Sequence, residues 1–175
     1  LTKTIPTMIL QNNILTCSGK EMKAIDILGL PLKSHEVIDL LEAWEVDVTY
    51  DFDRCFENMP DTYWASSKEN GILLRFDAEQ RLSTIYAYQK KIEGYEPSDP
   101  NFIGVTIFDS IDAVKAYGEK NGITISEGGG TFFGNELEWI RLDETEMQTR
   151  YEFRQNELVE VTLHKPEPDA SGQRR

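Results

Sequence analysis

The chain has 175 residues, a length that suits one domain or two small units built from a repeat. It carries 31 acidic and 18 basic residues, which gives a formal net charge of −13. Nucleic acids and anionic membranes bind proteins through clustered Lys and Arg, so this charge argues against both as partners. The hydrophobic content of 39 % excludes a disordered chain and is enough for a core without disulfides or metal ions.

Residues 1–24 are predicted to form an irregular or short strand-like lead-in. The stretch 1–17 is mildly apolar, but three polar residues at 11–13 interrupt it. It is therefore interpreted as neither a signal peptide nor a membrane span, which needs about 18 or more apolar residues. The chain is expected to lie in the cytoplasm, with Cys17 and Cys55 as buried thiols.

The first structured unit, 25–92, is predicted to contain a short strand at 27–32, a helix and then antiparallel strands. Ser34 is a good N-cap for the helix, because its hydroxyl accepts a hydrogen bond from the free amides of the first turn. Apolar residues follow at helical spacing: Val37, Leu40, Leu41 and Trp44. Strands are predicted over 71–76 and 82–88, joined by a hairpin loop.

Acidic and aromatic residues alternate irregularly over 35–61, where the only base is Arg54. If residues 50–53 are extended, their rings lie on one side and their acids on the other. One interpretation is a solvated helix face followed by an acidic loop. The other is a surface that steers a cationic partner and anchors it through the rings. The residues predicted to bind such a partner are Glu42, Glu45, Asp47, Tyr50, Asp51, Asp53, Glu57 and Asp61.

A linker is predicted at 93–100 from its Gly, Pro and Ser content, and a second unit at 101–165. Ser110 is again a good N-cap, and Gly122 accepts the left-handed conformation that ends a helix. Two strands are predicted to follow, at 147–153 and 158–164.

Two further segments are predicted to be irregular. Residues 127–131 contain three consecutive glycines but lack the Gly-Lys-Ser/Thr ending of a phosphate-binding loop. They are therefore interpreted as a flexible loop between the second helix and its sheet. Residues 166–175 are polar and rich in proline, which predicts a disordered tail.

The two units are predicted to be copies of one another, at an offset of about 75 residues. Three pairs of segments align at this offset: 27–32 with 102–107, Trp64 with Trp139, and 75–77 with 150–152. The predicted fold is therefore α+β, with two tandem pseudo-repeats of about 75 residues, each a helix packed on antiparallel β-sheet.

The sequence offers no convincing catalytic set, so the chain is expected not to be an enzyme and to need no cofactor. A Ser or Cys nucleophile needs a base within reach, and the only histidines are His35 and His164. Asp51, Asp53 and Glu57 resemble the start of a calcium loop, but its Gly and its final Glu are missing. No metal site is therefore expected, although convergent carboxylates leave an enzyme open as a third class.

The order of these motifs resembles small bacterial proteins encoded beside polymorphic toxins, which are usually immunity proteins. The motifs are Leu-Gly-Leu-Pro at 28–31, the capped helix, Gly-Ile-x-Leu-x-Phe-Asp at 71–77 and Leu-x-x-Ile-x-x-Tyr at 82–88. The tandem plan is also similar to the β-lactamase-inhibitory protein fold. The resemblance covers residues 25–165 and implies an inhibitor that works by occlusion, with no catalytic residues.

Two functions are therefore predicted. The first is an immunity protein that binds a cognate protein toxin, a basic effector such as a nuclease, and covers its active site with the acidic surface. The second is a non-catalytic ligand-binding or assembly module, including a homodimer that uses a sheet edge. Neither function has nucleic acid or a membrane as partner.

Overall fold

The computed structural model describes residues 9–11, 14–17, 20–52, 58–132 and 135–166. Strands and helices are numbered in chain order: β1 (Ile9–Gln11), β2 (Ile14–Cys17), β3 (Lys20–Glu21), α1 (Ala24–Ile27), α2 (His35–Ala43), β4 (Val48–Asp51), β5 (Thr62–Ser67), β6 (Ile72–Phe76), β7 (Leu82–Tyr88), α3 (Pro100–Ile103), α4 (Ile111–Asn121), β8 (Thr124–Phe132), β9 (Asn135–Asp143), β10 (Gln148–Arg154) and β11 (Glu157–His164).

The main sheet has eight antiparallel strands in the order β4-β5-β6-β7-β11-β10-β9-β8. Its first four strands come from one half of the chain and its last four from the other. The halves meet where β7 pairs with β11, with Ala87 opposite Val161 and Tyr88 opposite Glu160. In each half, the longer helix (α2 or α4) precedes four strands in the chain. These four strands lie in chain order from one edge of the sheet to its centre. The fold is a mixed helix-and-sheet fold.

A small sheet formed by β1, β2 and β3 lies at the start of the described chain. It occupies part of the predicted lead-in at 1–24. In the described part of the chain, no helix has both the length and the apolar composition that a membrane span requires.

The hydrophobic core lies between the helices and one face of the main sheet. Val37 and Leu40 of α2 and Val114 of α4 are fully buried there. The sheet contributes alternate residues, because successive side chains of a strand point to opposite faces. The largest buried side chains of the sheet are Ile72, Leu74, Phe76, Leu82, Ile85, Ile140, Tyr151, Phe153 and Leu163. Each such side chain contributes about 1.5–3 kcal/mol through burial.

The structure confirms the predicted helix caps. The Ser34 hydroxyl accepts a hydrogen bond from the Val37 amide at 3.4 Å, and the Ser110 hydroxyl accepts one from the Ala113 amide at 3.3 Å. Gly122, with φ of 65°, follows the last residue of α4. The predicted strands of both units are present as β6, β7, β10 and β11.

The segment predicted as a short strand, 27–32, is not a strand of the main sheet. α1 ends at Ile27, and the turns that follow pair with the start of β7 only through an isolated bridge between Pro31 and Arg81. The segment aligned with it, 102–107, begins with the last residues of α3 (Pro100–Ile103). Asp99 caps α3 by accepting the Asn101 amide at 2.9 Å. A short apolar run is compatible with a strand or a helical turn, and here the local cap decided between them.

The glycine-rich segment 127–131 is not a loop between helix and sheet, because it lies inside β8 and pairs with β9. A Cβ on Gly128 would come within 2.7 Å of the Trp139 indole, so the absence of a side chain lets that ring lie over the strand. Gly has a low propensity for strands, and only the tertiary contact with Trp139 shows why it is used here.

The segment predicted as a linker, 93–100, packs against the main sheet. Tyr95 and Ser98 are both buried. The Tyr95 hydroxyl lies 2.7 Å from the Ser66 hydroxyl, and the Ser98 hydroxyl donates to the Tyr88 carbonyl at 2.9 Å. Of the predicted tail, 167–175 lies outside the described residues.

Candidate protein-binding surface

The edge strand β4 carries the centre of the predicted partner-binding stretch. Among the strands that the structure describes, it pairs only with β5, in a register that places Tyr50 opposite Tyr63 and Asp51 opposite Thr62. Because residues of a strand alternate between faces, Tyr50 and Asp51 lie on different faces of this edge. The predicted separation of rings from acids along 50–53 thus holds for the part that the structure describes.

Three aromatic rings form a continuous stack along this edge, which we call the edge stack: Tyr63, Tyr50 and Phe52. The ring centroids of Tyr63 and Tyr50 are 4.9 Å apart, and those of Tyr50 and Phe52 are 5.6 Å apart. Tyr50 is 45 % exposed and Phe52 46 % exposed. Exposed rings in this arrangement offer a rigid apolar area of the kind that anchors protein interfaces.

Asp61 fixes the middle ring of the edge stack. The Tyr50 hydroxyl donates a hydrogen bond of 2.6 Å to Asp61 Oδ2, which joins two residues eleven positions apart. This hydrogen bond to a carboxylate is the main reason that the pKa of the Tyr50 hydroxyl rises from 10.0 to about 12. At neutral pH, Tyr50 therefore keeps its proton and donates a hydrogen bond to Asp61.

The acids of the predicted site lie on four successive segments, from α2 to the residue before β5. Glu42 is exposed on α2, and Glu45 and Asp47 are exposed in the connection from α2 to β4. Asp51 is exposed on β4, and Asp61 is half-buried beside β5. Across the described residues 35–52 and 58–61 there is no Lys or Arg to balance them.

Two of the eight predicted residues, Asp53 and Glu57, lie outside the described residues. Cys55, predicted as a buried thiol, lies outside them as well. Of the other six, Tyr50 and Asp51 lie on the edge strand β4, and Asp61 is hydrogen-bonded to Tyr50. Of the remaining three, Glu45 and Asp47 lie in the connection that leads into β4, and Glu42 lies on α2.

Glu45 ends α2 in an unusual backbone conformation. Its φ is 51°, in the left-handed region that favours glycine. The Glu45 amide donates to the Glu42 carbonyl at 3.1 Å, and the Val46 amide donates to the Leu41 carbonyl at 3.0 Å. This pair of hydrogen bonds is the Schellman motif, which turns the chain from the helix towards β4.

The sheet face opposite the helices, which we call the open face, carries a second group of aromatic residues. The Arg75 guanidinium lies 5.8 Å from the Trp64 ring centroid, and that of Arg150 lies 5.0 Å from the Trp139 ring centroid. In the sequence, these residues indicated only a duplication. Their neighbours Ala65 and Leu74 are buried in the core, and successive side chains of a strand point to opposite faces. This alternation was the signal that could have placed Trp64 and Arg75 together on the open face.

Two carboxylates face one another near the centre of the open face, Glu152 on β10 and Glu160 on β11. Arg150 and Arg154 form ion pairs of 3.2 and 3.1 Å with Glu152. Glu160 accepts a hydrogen bond of 2.8 Å from the Thr162 hydroxyl. Burial raises the pKa of the Glu160 carboxyl.

No group of three or more His, Cys, Asp or Glu side chains is arranged to hold a metal ion within the described ranges. His35 is exposed at the start of α2. His164 Nδ1 lies 3.0 Å from the Thr84 hydroxyl at the end of β11.

No protein-family model, curated protein or solved structure matches this chain. Its function is therefore inferred from the surfaces described above.

Proposed function

We propose that this protein is a non-catalytic binding protein that acts in the cytoplasm and neutralises a cationic protein. The proposed partner is a cognate bacterial toxin with a basic effector domain, whose active site the acidic edge would cover. The observation that carries the proposal is the edge stack, in which the exposed rings of Tyr50 and Phe52 stand in an acidic stretch of the chain and Asp61 binds the Tyr50 hydroxyl. The resemblance to immunity proteins supplies the class of partner.

The acids would act mainly on the encounter between the two proteins. Glu42, Asp47 and Asp51 are exposed, and no described Lys or Arg lies among them. Such a field raises the association rate of a cationic partner, and salt screens it over about 8 Å at physiological ionic strength. The proposal therefore requires an association rate that falls as salt rises.

The rings would supply most of the affinity once the partner is docked. Tyr50 is held in place by Tyr63 on one side and by its hydrogen bond to Asp61. A side chain that is already fixed loses little conformational freedom on binding, which favours its use as an anchor. Occlusion by such an anchor needs no chemical turnover.

We also propose that the two halves arose by duplication, as the sequence offset predicts. The support is the mirrored strand order, with a capped helix before each set of four strands. The Trp64–Arg75 and Trp139–Arg150 contacts recur on the open face at the same offset. The test is the sequence of relatives, in which some pairs of halves should be more alike than they are here.

The experiment is co-expression with the product of the adjacent reading frame, followed by gel filtration and a growth assay. We expect an equimolar complex and rescue from toxicity. Two altered chains locate the surface. One carries Tyr50→Ala with Phe52→Ala, and the other carries Glu42→Lys, Asp47→Lys and Asp51→Lys.

The ring variant should weaken the complex at least about tenfold through faster dissociation. The charge variant should slow association and lose its dependence on salt. The matched controls are Tyr117→Ala, an exposed ring on α4, and a triple change of Glu119, Glu144 and Glu146 to Lys. If the controls and the edge variants affect the complex equally, the acidic edge is not the binding surface.

A further inference from the structure

The two edge strands of the main sheet differ in length and in charge. β4 has four residues, ends at Asp51 and is flanked by acids. β8 has nine residues and, among the described strands, pairs with β9 alone, in an unbroken register from Thr124 to Phe132. An edge strand presents backbone N–H and C=O groups on its outer side, where another strand can pair with them.

β8 lacks the features with which proteins usually protect an edge strand. It contains no proline, lysine or arginine, and its register with β9 has no bulge. No residue of β8 has a positive φ, and residues 127–131 are exposed. Its single charged residue, Glu127, forms an ion pair of 2.6 Å with Lys115 of α4. β8 is therefore a long edge strand without a bulge, and it carries a single charged residue.

Two glycines of β8 are required by packing against β9, and they expose backbone without a side chain at the middle of the edge strand. Gly128 makes room for the Trp139 ring. A Cβ on Gly129 would lie 2.6 Å from the Leu137 carbonyl oxygen, so this position also excludes a side chain. As a result, no bulky side chain stands between the middle of this edge and an incoming strand.

We propose that a second copy of the chain pairs with this edge, β8 against β8, antiparallel and centred on Gly129. The two eight-stranded sheets would then form one continuous sheet, with a two-fold axis at Gly129. In this register, Glu127 lies opposite Thr131 of the second copy, and no two charges of the edge face each other. The same patch on both copies forms the contact, as a two-fold interface requires.

The distribution of charge favours β8 over β4 as the edge at which a second copy of the chain binds. A chain with a net charge of −13 repels its own copies, so it self-associates only where its surface is locally neutral. The strand β8 itself carries no net charge because Lys115 balances Glu127, and the acids Glu136 and Glu138 lie one strand further in, on β9. At β4, by contrast, Asp51 and its acidic neighbours would face one another, which disfavours pairing there.

The size of the contact sets its expected strength. With Gly129 at the centre, seven residues of each β8 (126–132) are paired and extend for about 23 Å, which is small beside the area of permanent dimers. We therefore expect a reversible dimer with a dissociation constant of roughly 10–100 µM, in the range of transient contacts. This dimer leaves the acidic edge at β4 free, so it is independent of the proposed toxin binding.

The first test is sedimentation velocity of the whole chain from about 5 to about 500 µM, together with hydrogen exchange at both concentrations. We expect dimer to form with rising concentration, and the amides of β8 to gain protection while those of β4 do not. A chain that stays monomeric at the highest concentration would overturn the proposal. So would a dimer in which β8 gains no protection.

The second test uses charge at Thr131, an exposed position where folding should survive. Thr131→Glu places an acid opposite Glu127 of the second copy and should weaken the dimer at least about tenfold. Adding Glu127→Lys to that variant should restore dimerisation, although the pairing of position 131 with Glu136 of β9 is unchanged. Thr131→Lys should leave the dissociation constant of the dimer unchanged or lower. Equal dimerisation of all these variants would overturn this pairing, and circular dichroism checks that each is folded.

Discussion

Tyr50 and Tyr63 face each other across β4 and β5, with ring centroids 4.9 Å apart and planes inclined by 24°. The pairing brings an exposed ring of the edge strand onto a half-buried ring of its neighbour. Asp61, just before β5, accepts a hydrogen bond from the Tyr50 hydroxyl. These three residues join the acidic stretch to the sheet, and their contacts give predictions that need no partner.

Asp61→Asn should lower the pKa of Tyr50 from about 12 towards 10.0, because the carboxylate that holds the phenol proton is removed. The measurement is an absorbance titration of tyrosine ionisation, with Tyr50→Phe identifying the signal. An unchanged titration in Asp61→Asn would show that this hydrogen bond does not control Tyr50.

The same raised pKa predicts how stability depends on pH. Below pH 10, Tyr50 is protonated in both the folded and the unfolded chain, so the stabilising contribution is complete. Between pH 10 and about 12, the unfolded chain releases this proton while the folded chain retains it, so the contribution is lost as pH rises. Urea unfolding should therefore show a steeper loss of stability over this range in the wild type than in Asp61→Asn.

Glu45→Gly should stabilise the fold by about 0.5–1 kcal/mol. The φ of 51° at Glu45 strains any residue that carries a Cβ, whereas Gly122 holds the equivalent place after α4 without strain. Chemical denaturation measures the difference, and Glu45→Ala is the control because it removes the charge and keeps the strain. A gain in Glu45→Ala as large as that in Glu45→Gly would assign the effect to charge instead.

Tyr151→Phe should destabilise the fold by about 1–2 kcal/mol. Tyr151 is buried, and its hydroxyl donates to the Thr106 carbonyl at 2.9 Å, so its loss leaves that carbonyl without this donor. Burial also raises the pKa of the Tyr151 hydroxyl, which keeps it a donor. The comparison is Tyr86→Phe on the open face, for which thermal unfolding should show a smaller change.

Much of the local structure was predictable from the sequence because its causes are local. Ser34 and Ser110 begin helices since a hydroxyl at that position satisfies free amides of the first turn. Two apolar runs on either side of a hairpin loop likewise located the strands that became β6 and β7. At 27–32, where two local structures bury the same apolar residues, the pattern did not decide between them.

The candidate surface was likewise predictable from the sequence only in part. The acids at Glu42, Asp47 and Asp51 were predicted as a group, because residues near one another in sequence on a helix, a connection and a strand stay near one another in space. The Tyr50–Asp61 hydrogen bond and the contact of Arg75 with Trp64 depend instead on which strands pair and in which register.

The sequence by itself determined where the two longer helices begin, where four of the strands lie and where negative charge accumulates, because capping, periodicity and charge act over a few residues. Only the tertiary structure decided that both halves share one sheet through β7 and β11, and that the glycines at 128–130 lie in an edge strand. Strand order depends on contacts between residues far apart in sequence, and burial of side chains such as Ile85 and Leu163 against common neighbours selects it.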